Sequence, residues 1–347
     1  MASTAPTYRF HAHGYPAALD DLRGSVENIE PDLAAGLYAL LRSAGVNLHY
    51  CEADVLSGRA SQFLYSREHP ECAQLAFVPP TDTLFRAYRV TWKEVTPSDP
   101  ASAFSVLREW IAQGRLCLAR LKEPLVVYGC VRDRRTDFIV AARLWKRLAD
   151  SSISVAECDR DFWRYPLDEG NVLLSIESVA TTAPDPRELA LTAIRRTARS
   201  WYARELAGCA TGEAAYRQFA TDLTRPEVDF TEEPSRGWMG AALWRQWTSR
   251  YSLHHYFERT APRFGGAERQ HVTKAAFCYG QCAEAWQRWA AYLGPTWDVT
   301  HEGFPSDYPE EFVARWRSHE ARMKASRWVE EAWGWEAKAV QELTKTI

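Results

Sequence analysis

The chain has 347 residues, 46% of them hydrophobic and 25% charged, with a formal net charge of −3. This is an ordinary globular composition, enough for one large or two medium domains, each with a core of its own. It excludes a chain-wide basic field that would draw in nucleic acid or anionic lipid, and no run approaches the roughly 20 apolar residues of a membrane span.

The first fifteen residues lack a basic segment followed by an apolar one, so no secretory leader is read there and a cytoplasmic protein is expected. The first predicted helix covers 31–44. Pro31 suits the opening turn, Leu33, Leu37, Leu40, Leu41 and Ala44 recur at helical spacing, and Gly45 is a natural stop. The stretch 50–96 reads as a polar and aromatic loop region, with turns at Leu56-Ser57-Gly58 and around Pro79 and Pro80. A second helix begins at a Ser98 or Asp99 cap with Pro100 in its first turn; it carries Phe104, Leu107, Trp110 and Ile111 on one stripe and ends at Gly114.

The period then changes. Short runs over 116–121, 125–128, 138–142 and 171–176 are rich in β-formers and separated by charged turns, which predicts a sheet of roughly four to six strands packed on the two helices. Ala183-Pro184-Asp185-Pro186 marks a linker or sharp turn, and everything after it reads as helical. Stripes run through Leu191, Ile194, Ala198, Tyr202 and Leu206, then Tyr216, Phe219, Ala220 and Leu223, then Leu243, Trp247 and Tyr251. From Val272 to Leu293 an alternating four-three spacing predicts a coiled-coil-like seam. A final helix is expected from about Pro309 to Leu343.

Eight cysteines lie scattered at 51, 72, 117, 130, 158, 209, 278 and 282, without a CxxC pair. In a cytosolic chain they are expected as thiols. Cys278 and Cys282 share a helical face, which leaves open a two-ligand metal site. The chain also holds 15 Trp, most of them after residue 200. Two readings stand: packing between helices, or an aromatic-lined ligand pocket. Phosphate-binding glycine loops, a Gly-x-Ser-x-Gly elbow and a His-Glu-x-x-His motif are absent, so nucleotide-dependent and zinc-protease classes are not expected.

Two patches resemble a known family. One is LYALLRSAG over 37–45 with Tyr50 and LSGRA over 56–60; the other is IAQGR over 111–115 with KEPLVVYG over 122–129. ATGEAAY over 210–216 and the helix at 241–261 extend the likeness, which covers about 30–300. The chain is similar to the butirosin-biosynthesis-protein-H-like family. That resemblance implies an α+β, papain-like (C39-peptidase-like) N-terminal domain over 15–180 and an all-helical C-terminal domain over 184–347, with the pocket at their junction. It implies an enzyme of bacterial specialised metabolism that transfers, cyclises or rearranges an acyl or amide-type small molecule, free or carrier-protein-bound. A homodimer is compatible with it, no nucleic-acid or membrane partner is expected, and neither a cofactor nor a metal is implied.

Acyl-transfer members would place a nucleophilic Cys at the start of the first helix and a His at the head of the 126–129 strand, because a helix N-terminus lowers a thiol pKa and the His moves the proton. Here the helix start reads Glu30-Pro31-Asp32-Leu33, the strand head falls at Glu123, and the position that would orient the His falls near Ala142 and Arg143. Catalysis would then rest on Glu123, Asp32 and Glu30 as acid/base groups, with Cys51 the nearest thiol. Glu123 also reads as a solvated strand end, Glu30 and Asp32 as capping residues, and Cys51 as a buried small hydrophobe. Substrate contacts are expected from His49, Tyr50, Arg59, Tyr128, Trp244, Trp247, His254 and His255; for the last two a core role is the competing reading. The alternative function is a catalytically silent member that binds a ligand or partner.

Overall fold

The structure is a computed structural model that describes residues 9–11, 33–68, 81–120, 124–133, 136–143, 149–154, 172–206, 208–231, 233–293 and 310–347. Its first elements are β1 (Arg9–His11), α1 (Leu33–Ser43), α2 (Tyr50–Leu56), β2 (Leu64–Tyr65), α3 (Thr81–Ala87), β3 (Val90–Val95) and α4 (Pro100–Ala112). Five strands follow: β4 (Cys117–Arg120), β5 (Pro124–Asp133), β6 (Thr136–Arg143), β7 (Ala149–Ser154) and β8 (Val172–Val179). Then come α5 (Pro186–Tyr202), β9 (Glu205–Leu206), β10 (Cys209–Thr211), α6 (Glu213–Leu223), α7 (Glu233–Thr260), α8 (Gly266–Leu293), α9 (Glu310–Arg317) and α10 (His319–Thr344). The chain is thus a mixed α+β protein, with two antiparallel sheets among the described residues. Among the described residues, no helix is long and apolar enough to cross a membrane.

The chain forms two compact units, Met1–Ala53 with Thr81–Ala183, and Asp54–Pro80 with Pro184–Ile347. The first unit is built on an antiparallel sheet in the order β3-β8-β4-β5-β6-β7. β4 pairs with the start of β5, and β1 takes over along the same edge from Gly129 to Val131. Cys117, Leu118 and Ala119 on β4, and Leu125, Val126 and Val127 on β5, are all fully buried. Consecutive buried residues mean that both faces of these strands are covered. Helices α1 and α4 pack on the sheet, α1 against β4 and β5.

Helix ends in this unit follow local chemistry. Asp99 caps α4 and forms a capping box with Ser102, with Pro100 in the first turn. Gly45 (φ +88°) and Gly114 (φ +78°) end α1 and α4 in the left-handed region. In both, the residue after glycine donates to the carbonyl five back (Val46 to Leu41, Arg115 to Trp110), a Schellman stop.

In the second unit α8 packs against both α7 and α10, and α6 against α10. The 272–293 pattern is therefore broader than a seam, because Ala275, Cys282, Ala285 and Trp289 are buried as well. An aromatic core sits among these helices. Phe63 meets Tyr216 at 4.7 Å and Trp286 at 5.5 Å between ring centroids, and Trp289 meets Trp286 and Trp316 at 5.2 and 5.6 Å. Packing is thus the role of these tryptophans. A polar network crosses the same core. Arg250 reaches both oxygens of Glu336 at 2.8 and 3.1 Å, Tyr216 donates to Glu336 at 2.6 Å, and the Trp286 indole donates to Tyr216 at 2.9 Å.

Three expectations change. The 50–96 stretch is not simply loop: it carries α2, β2, α3 and β3. At α2 the backbone N–H of His49 donates to Glu52 at 2.9 Å, half of a capping box. The region after Pro184 is not wholly helical, because β9 and β10 join β2 in a small antiparallel sheet ordered β2-β10-β9. Strands of two and three residues are too short to show a period. The last helix is two helices, since Ser318 accepts from the Ala321 N–H at 3.3 Å and caps α10.

Candidate functional site

The second unit contains a groove of about 840 Å³. Its floor is β2 paired to β10, with Tyr65 opposite Ala210. One wall is the end of α5 and the residues after it, Trp201 to Arg204. The other is a single face of α6: Glu213, Arg217, Thr221 and Asp222, continued by Arg225. Glu213, Arg217, Thr221 and Arg225 recur every four residues, while Tyr216, Phe219, Ala220 and Leu223 on the other face are buried in the aromatic core. One helix thus anchors on its apolar side and presents chemistry on its polar side.

Four arginines line the groove, Arg67, Arg204, Arg217 and Arg225, against the carboxylates of Glu68, Glu213 and Asp222. Asp222 is held in place: the Tyr65 hydroxyl donates to it at 2.8 Å, and Arg225 lies 3.6 Å away. Arg217 is braced by Glu213 at 3.1 Å and by the Trp333 ring at 5.8 Å. No ion pair of Arg67 or Arg204 is formed among the described residues, and all four arginines are exposed. Guanidinium forks from three segments therefore converge on one groove, a donor set for carboxylate or phosphate oxygens. Among the described residues that line it there is neither a cysteine nor a histidine.

Glu30, Asp32 and Glu123 lie outside the described residues. Cys51 is half-buried in the first turn of α2 and His49 is exposed just before it, so a helix, not a strand, separates their side chains. Tyr50 is half-buried, its ring 6.3 Å from Tyr38. Arg59 is fully buried and its Nε donates to Asp54 at 2.6 Å. Tyr128 is buried at a β-bulge, the β5–β6 register shifting between Val127 and Gly129. Trp244 lies on α7, with its side chain outside the described set. Trp247, His254 and His255 are half-buried on the same helix, where Tyr251 meets all three rings at 6.0 to 6.5 Å. Cys278 and Cys282 are both buried on α8, and Cys282 faces Tyr216 and Glu336.

The sequence alone does not single out the groove residues. The polar stripe Glu213, Arg217, Thr221, Arg225 is visible opposite the apolar stripe of the same helix. Arg67 and Arg204 carry no such signal, since they come from segments far apart in the chain.

Comparison with protein-family models and with curated proteins gives no match.

Proposed function

We propose that this protein binds an anionic small molecule in the groove of its second unit. The convergence of Arg67, Arg204, Arg217 and Arg225 carries this reading. The groove's volume is within the range of about 300–1,000 Å³ typical of ligand sites. The resemblance to the butirosin-H-like family narrows the ligand to an acyl or amide compound that also bears a carboxylate or phosphate, free or presented on a carrier protein. Two of the groove's carboxylates, Glu213 and Asp222, are tied to Arg217, Tyr65 and Arg225, so binding, the silent alternative of that family, is the activity best supported.

A second reading is favoured by one observation: α1 packs on the two central strands β4 and β5, as a papain-like domain requires. On that reading the first unit is C39-like and the protein is a cytoplasmic biosynthetic enzyme, with Glu123, Asp32 and Glu30 replacing a cysteine centre. The two readings separate by experiment. Ligand-observed NMR against N-acyl amino acids and their neutral esters tests binding, with the acids expected to bind and the esters not. Product formation from the same compounds, lost in Glu123→Gln and retained in Cys51→Ala, would establish the enzyme reading. No product with any member of the set would leave the binding reading in place and sink the second.

A further inference from the structure

Three donor side chains converge on α7, and none of them lines the groove. His254, His255 and Glu258 each offer one ligand atom, and the three atoms lie within 4.8 Å of one another. The His255 Nδ1 to Glu258 Oε2 distance is 3.8 Å, beyond hydrogen-bond range, so the two groups face each other without closing a bond.

The surroundings prepare the two imidazoles. His254 Nδ1 is 2.8 Å from the Ala276 carbonyl on α8. A carbonyl only accepts, so Nδ1 is the donor in this bond and Nε2 is the nitrogen left for a metal. In metal-binding histidines such a bond from the other ring nitrogen fixes the tautomer and the ring orientation. Gly280 gives that ring its room: a Cβ there would stand 3.3 Å from His254 Nδ1. The His255 ring is stacked on Tyr251 at 6.0 Å.

We propose that His254, His255 and Glu258 form a site for a borderline divalent cation such as Zn²⁺, the fourth position being left to water or an incoming ligand. Two imidazoles and a carboxylate suit Zn²⁺, Co²⁺ or Cu²⁺ and disfavour Mg²⁺. Tetrahedral ligation at metal–ligand distances of about 2.0–2.1 Å asks for donor atoms about 3.3 Å apart. His255 and Glu258 have side chains 45% and 64% exposed, so they are free to close that gap.

The test uses the full chain, stripped with a chelator, desalted and titrated with Co²⁺ and then Zn²⁺. One Co²⁺ per chain is expected, with the visible absorption of a tetrahedral site that Zn²⁺ abolishes. Glu258→Gln and His255→Asn should each weaken binding at least about tenfold, and Gly280→Ala should weaken it by crowding the His254 ring against its carbonyl partner. His271→Asn, elsewhere on α8, should leave it unchanged. Failure to bind Co²⁺, or binding of undiminished affinity in both Glu258→Gln and His255→Asn, overturns the proposal.

Discussion

The Tyr65 hydroxyl lies 2.8 Å from Asp222 Oδ2, and both residues are almost sealed from solvent although both line the groove. The bond ties the floor strand β2 to the α6 wall across 157 positions of sequence. Tyr65→Phe leaves a buried carboxylate short of a donor, which should cost about 1–3 kcal/mol. Urea denaturation of the variant measures this. Affinity for an anionic ligand should change much less than in an arginine variant, because the positive groups remain.

The same unit is pinned at its centre by Arg250 and Glu336, whose side chains are 1% and 3% exposed. Breaking a buried pair strands one charge, so Glu336→Gln should destabilise by about 3–5 kcal/mol. Replacing both partners with apolar residues of similar volume should cost less than either single change, because no charge is then left unpaired. Denaturation midpoints of the two single variants and the double variant decide it.

Gly212 stands where α6 begins, beside the groove, with φ +56° and a virtual Cβ 2.3 Å from the Trp201 carbonyl. That neighbour is backbone and cannot rotate away. Gly212→Ala should therefore lose at least about 1–3 kcal/mol in strain alone. Gly208→Ala, whose Cβ meets nothing within 4 Å, is the milder comparison. A thermal-melt comparison of the two variants tests the difference.

Burial, with Cys130 alongside, raises the Cys117 thiol far above its ordinary range; burial, with Glu336 alongside, does the same to Cys282. Thiolates are the reactive form. Native protein treated with iodoacetamide near pH 8 should leave both unmodified. Cys51, the one described cysteine that is only half-buried, should react first of the described set. Peptide mass spectrometry reads the order directly.

Acidification should act in two stages. Burial, with His254 next to it, lowers the His255 pKa in the folded state. The unfolded chain then binds more protons, so stability falls as pH drops from about 6.5 toward the folded value. Hydrogen bonds lower the carboxyl pKa of three acids: Asp99 by the Ser102 N–H, Asp229 by Thr231 and Glu342 by Lys345 and His271. Their stabilisation is complete above about pH 4 and is lost as pH falls through their lowered values. His255→Asn should erase the upper stage of the stability–pH curve and keep the lower one.

Much of the fold was legible because periodicity survives in long elements. The α1 and α4 stripes and their glycine stops stand where the pattern placed them, and the runs predicted over 116–121, 125–128, 138–142 and 171–176 mark β4, β5, β6 and β8, of which β5 is much longer than its run. The 50–96 stretch misled because α2 and α3 are seven residues each, two turns of helix with no room for a stripe. The site was less legible. A groove built from β2, the end of α5 and α6 depends on tertiary assembly, and Arg67 and Arg204 are ordinary surface residues in sequence. Arg59 was expected at a substrate, yet the structure buries it against Asp54, five residues away. The adjacent pair His254 and His255 was conspicuous, but the Ala276 carbonyl and Gly280 that prepare it lie on another helix.

The central claim, that four arginines make the groove a site for an anionic acyl compound, is tested most directly by calorimetry. Hexanoylglycine and its methyl ester, alike except for the charge, would be titrated into the native protein and into an Arg204→Ala, Arg217→Ala variant. The free acid should bind the native protein, and its affinity should fall at least about tenfold in the variant, matching the loss of about 1.5–3 kcal/mol expected for a charged hydrogen bond; the ester should not bind measurably. Equal binding of acid and ester, or an acid affinity untouched by removal of both arginines, would contradict it.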